Sequence, residues 1–172
     1  MLPQVKLPAE HRAYVLRTQL VGPALFNAAV CTSFAWFFYG EYSFVPFWHP
    51  QGIAVDALIS LFLISSLTCL IGTPLIKLAI VHGPLSPLPW RRADHRWLGR
   101  LPESLLGRSL AFGLLGVIVV GPILLGVMAA TGYPGLWLSY FLVFKAIYSA
   151  LVAMIVAPIV AVCALADASS AT

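Results

Sequence analysis

The stretch "WHPQGIAVDALISLFLISSLTCLIGTPLIKLA", residues 48–79, decides the fold. Between Asp56 and Lys77 it runs twenty residues without a charge. At about 1.5 Å per residue, a helix of that length covers about 30 Å, the thickness of a bilayer's hydrocarbon core. A lipid-facing backbone must satisfy its own hydrogen bonds, so such a run crosses as an α-helix. The alternating apolar and polar pattern of a membrane barrel strand is missing.

The rest of the chain has the same character. It has 172 residues, 60% hydrophobic and only 9% charged, with mean hydropathy +0.93, which excludes an ordinary soluble domain. Four apolar runs, 20–39, 52–76, 109–131 and 135–165, predict an all-α integral membrane protein, a four-helix transmembrane bundle forming a single domain over 1–172. The first run follows Lys6, Arg12 and Arg17 with no small-residue cleavage site in good context, so it reads as a retained helix.

Charge sets the orientation. Of ten Lys and Arg residues, nine fall on one side of these spans: Lys6, Arg12, Arg17, Lys77, Arg91, Arg92, Arg96, Arg100 and Arg108. The opposite loops, 40–51 and "TGYPG", carry none. Both termini are therefore expected in the cytoplasm, as for a protein of the cell (inner) membrane. The formal net charge of +4 is a topology signal that needs no nucleic acid.

The long cytoplasmic loop, 82–108, contains "PWRRADHRWLGRL". Read as a helix, it sets Trp90, Ala93, Trp97 and Leu101 on one face and Arg91, Arg92 and Arg100 mainly on the other. That pattern predicts an amphipathic interfacial segment whose Arg91, Arg92, Arg96 and Arg100 contact anionic lipids at the cytoplasmic face. An anionic ligand or a docked protein is the alternative.

Two opposite charges lie at the outer edge. Asp56 precedes one charge-free run of twenty residues, Ala57 to Ile76, and Lys145 precedes another, Ala146 to Leu165. Their equal depth suggests a direct pair between the second and fourth helices; Lys145 snorkelling alone to the headgroups is the alternative. With Glu41 and His49 in the adjoining loop they form a candidate outer-face polar site. The nearby Tyr42, Trp48, Trp137 and Tyr140 fit an interfacial aromatic belt. Deeper in, Asn27 and Thr68 match in depth and read as polar packing between helices.

Small residues suggest how the helices close up. Ala146, Ala150, Ala153, Ala157, Ala161 and Ala164 form one stripe, and Gly113, Gly116, Gly121 and Gly126 another. Either serves the bundle core or a second subunit, so a homo-oligomer or a larger membrane complex is open.

Catalytic and cofactor signatures are missing. His11, His49, His82 and His95 all lie outside the four runs, which argues against a haem carrier, and HExxH, GxSxG and Walker-type motifs do not occur. Cys31, Cys69 and Cys163 have no CxxC spacing. No metal and no cofactor is expected. The leading expectation is a noncatalytic membrane component or accessory subunit. A small oligomeric proton-coupled transporter working through Asp56, or a lipid-modifying enzyme using Glu41, His49 and Asp56 at the outer face, are the alternatives.

Overall fold

The computed structural model describes residues 9–82 and 101–168, with the side chains of the first helix from Leu20 onward. Four long helices account for nearly all of it: α1 (Ala9–Tyr39), α2 (Ile53–His82), α3 (Leu105–Thr131) and α4 (Leu138–Ala168). Each is long and apolar enough to cross a membrane. The chain is a multi-pass helical membrane protein. Each helix also contains one proline, Pro23, Pro74, Pro122 and Pro158, which membrane helices tolerate where neighbours re-satisfy the freed backbone.

The helices outrun the apolar runs. α2 continues to His82 and α4 to Ala168, and α3 starts at Leu105 inside the expected 82–108 loop. The side-chain oxygen of Ser104 accepts from the Gly107 amide and fixes that start. At the other end of α3, Gly132 sits at φ +67°, the left-handed conformation that stops a helix at least cost. Arg108 is therefore a helical residue of the first turn rather than a loop residue. The expected interfacial segment with Arg91, Arg92, Arg96 and Arg100 lies outside the described residues.

One correction concerns the loops joining α1 to α2 and α3 to α4. They form a two-stranded antiparallel ribbon, β1 (Phe44–Pro46) with β2 (Gly135–Trp137), where Val45 faces Leu136. Residues 135–137, expected to begin the fourth span, are thus strand. Gly135 is required there, because a Cβ would stand 2.3 Å from the Val45 carbonyl oxygen. The ribbon also caps helices: Ala54 donates its amide to the Phe47 carbonyl, and Leu138 donates to that of Ser43. Helix amides that would otherwise lack partners are satisfied.

The bundle has a definite order. α4 packs against α1 on one side and α2 on the other, and α2 packs against α3 on its far side, giving the order α1–α4–α2–α3. The inner two helices are the most buried, while α1 and α3 keep large apolar side chains such as Phe26, Phe37, Ile118 and Ile123 exposed. Such surface suits lipid. The alanine stripe of α4 runs into this interior, with Ala153, Ala157, Ala161 and Ala164 at 1% exposure or less. The seam that sequence leaves unassigned is intramolecular over those positions.

Candidate functional site

Lys145 is the most unexpected resident of the interior. It lies on α4 with its side chain only 2% exposed, where an unpaired ammonium would be costly. The structure pairs its Nζ with Oδ2 of Asp56, in the first turn of α2. Nζ also donates to the Ser60 hydroxyl, one turn further along α2. Asp56 thus has both a cation and the positive end of its own helix beside it. Below the pair, Tyr148 donates its hydroxyl hydrogen to the Ala57 carbonyl at 2.9 Å, and Ser149 donates to the Lys145 carbonyl at 2.6 Å. Polar atoms are matched locally, and α2 is fastened to α4.

A second pair closes the opposite end. Arg108 of α3 is 1% exposed and donates through Nη1 to Oδ2 of Asp167 in the last turn of α4. Its Nη2 lies 3.5 Å from the Thr73 hydroxyl of α2, so three helices meet at one guanidinium. Cys69, Cys163, Val160 and Phe112 form the apolar cluster of the same end. The run boundaries in the sequence place Arg108 in the 82–108 loop and Asp167 beyond the last span. The missed signal is a guanidinium and a carboxylate at matching ends of consecutive apolar runs, the same depth match that relates Asp56 to Lys145.

The remaining candidates separate. Glu41 and His49 are exposed in the loop after α1, outside the Asp56–Lys145 pair. Nδ1 of His49 accepts the Gln51 amide at 3.2 Å. Asn27, read as polar packing between helices, donates through Nδ2 to the Pro23 carbonyl of its own helix at 2.8 Å. The side-chain amide reaches the carbonyl one turn back before it reaches a neighbour. Thr68 is half-buried on α2.

Two hollows accompany these residues. A wide groove of about 1050 Å³ runs between α1 and α4, floored by Ala28, Ala29 and Thr32 and walled by Leu25, Trp36 and Phe37. It is apolar and open, as a lipid-facing groove is. A smaller one of about 140 Å³ lies at the loop joining α1 to α2, lined by Tyr39, Tyr42, Phe44, Val45, Pro46, His49 and Gln51. Neither is lined by Asp56, Lys145, Arg108 or Asp167. No group of three His, Cys, Asp or Glu side chains converges among the described residues.

Fold and charges together define a polytopic helical membrane protein with an ion pair towards each end of α4. Comparison of the chain with protein-family models, curated proteins and solved structures finds no match.

Proposed function

We propose that the protein is a noncatalytic membrane component, a helical module or accessory subunit that offers its exposed faces to other membrane proteins or to further copies of itself. One observation carries this reading. The charged side chains buried among the described residues, Arg108 and Lys145, are each spent on a carboxylate of another helix, and neither lines either of the two hollows described above. A coupling carboxylate in a transporter, or an acid and base in an enzyme, needs access to what it acts upon. Here the charges join helices.

The nine-to-none split of basic residues supports a placement in the cell membrane with both termini cytoplasmic, and with Arg91, Arg92, Arg96 and Arg100 on anionic lipid. Reconstituted in vesicles, the protein is expected to leave an imposed proton gradient no leakier than empty vesicles do. Photo-crosslinkers at the exposed positions Phe26 of α1 and Val119 of α3 should trap a membrane protein or a second copy in native membranes. Gradient-driven flux that Asp56→Asn abolishes would replace this reading with a proton-coupled transporter.

A further inference from the structure

The small hollow at the loop joining α1 to α2 has a composition that neither ion pair explains. Three of its lining residues are aromatic: Tyr39 at the end of α1, Tyr42 in the turn that follows, and Phe44 of β1. The rings of Tyr39 and Tyr42 stand with centroids 6.3 Å apart and planes tilted by 55°, two walls of a wedge. Each outer wall is backed. Phe141, fully buried, meets Tyr39 edge-on at 5.1 Å, and Trp137 meets Phe44 at 5.8 Å across the ribbon. The turn itself is closed by the Tyr42 amide donating to the Tyr39 carbonyl at 2.9 Å. Interfacial aromatics of the ordinary belt dip singly into the headgroup layer, whereas these three line one hollow.

The hollow has no fixed positive charge among its lining residues. Aromatic faces are negative, and a cation within about 6 Å of a ring centroid is held by the quadrupole. Residues 40–51 contain no Lys or Arg, Glu41 sits between the two tyrosines, and His49 uses Nδ1 as an acceptor. Gln51 and His49 supply the polar rim. At about 140 Å³ the space is well below the roughly 300 Å³ at which pockets for drug-sized molecules begin, so it suits one small group.

We propose that Tyr39, Tyr42 and Phe44 form an aromatic cage for a small organic cation of the quaternary ammonium class. The trimethylammonium group is the type case: weakly hydrated, polarising and matched to ring faces. It reaches the outer membrane surface either on a zwitterionic lipid headgroup or as a free solute such as choline, and both present the same chemistry to the rings. The site stands independently of the accessory role.

The test uses the full-length protein in a maltoside detergent, which carries no ammonium of its own. Titration with tetramethylammonium or choline, read by fluorescence of Trp137 behind Phe44, should saturate. The neutral isostere 3,3-dimethylbutanol should bind far more weakly. Tyr42→Leu should weaken choline binding about tenfold while Tyr42→Phe, which keeps the ring, retains it. Native mass spectrometry distinguishes the sources: preferential retention of phosphatidylcholine over phosphatidylglycerol, lost in Tyr42→Leu, marks a headgroup site, whereas choline binding without that preference marks a free-solute site. Equal binding of the neutral isostere, or choline binding indifferent to Tyr42→Leu in a protein that keeps its melting temperature, overturns the cage.

Discussion

A charge buried at 2% exposure survives in lipid only because something answers it, and the two cations buried among the described residues are answered differently. Lys145 meets Asp56 and Ser60, both on α2; Arg108 meets Asp167 on α4 and, more distantly, Thr73 on α2. Removing one partner of a shielded pair strands the other, at a cost of about 3 kcal/mol or more, whereas removing both restores neutrality. Asp56→Asn and Lys145→Met should each lower the detergent melting temperature, and the double substitution should regain most of the loss. A coupling energy of about 1 kcal/mol or more is expected from the cycle; strict additivity would mean that the two charges are solvated separately. Arg108→Met should likewise lower the melting temperature, and because it also removes the contact to Thr73, Asp167→Asn should recover only part of the loss. Equal depth was readable for Asp56 and Lys145 because each interrupts or precedes an otherwise charge-free run. Arg108 was hidden by its own neighbourhood: one more arginine at the end of an arginine-rich loop looks like topology, and nothing local in the sequence points to a carboxylate near the chain's other end.

At the scale of elements, the helices were legible from uninterrupted apolar length, since lipid permits few alternatives. The ribbon was not, because three-residue strands carry no periodic signal and owe their pairing to the closeness of α1, α2 and α4. Nor could sequence assign the glycines of α3. The structure sets Gly113 and Gly116 against Ser66 and Ser65 of α2 so closely that a Cβ at Gly113 would stand 2.2 Å from the Ser66 oxygen and 2.7 Å from the Phe62 ring. Close approach of backbones through small residues is how membrane helices gain packing energy without a hydrophobic drive. Gly113→Ala should therefore destabilise by about 1–3 kcal/mol, the usual penalty for overfilling a packed interface. Ser66→Ala alone should be neutral or slightly stabilising, since the described residues give its buried hydroxyl no hydrogen-bond partner. Combined with Gly113→Ala it should relieve part of the loss by removing the nearer obstacle, although Phe62 remains. Thermal unfolding in detergent of the four proteins decides this; full additivity would mean that α2 and α3 do not meet at this point.

For the whole molecule, α4 acts as a post. Lys145 and Asp167 stand roughly 33 Å apart along it at the helical rise, about one hydrocarbon thickness, so the two fastenings fall at the two faces of the membrane. The fold alone does not say which face is which. The basic residues supply that argument, because Lys and Arg concentrate in the segments flanking the Arg108–Asp167 end and are missing from both loops at the Asp56–Lys145 end. Two exposed positions report on the two ends, Ser43 beside the ribbon and Glu103 before α3. With Cys31, Cys69 and Cys163 replaced by alanine, a cysteine at Ser43→Cys should react with an impermeant maleimide added to intact cells, and one at Glu103→Cys should react only after the membrane is opened. The reverse pattern would turn the molecule over, place the Arg108–Asp167 fastening outside and move the ammonium cage to the cytoplasmic leaflet. Labelling of both from one side would remove the even number of spans on which the four-helix reading depends.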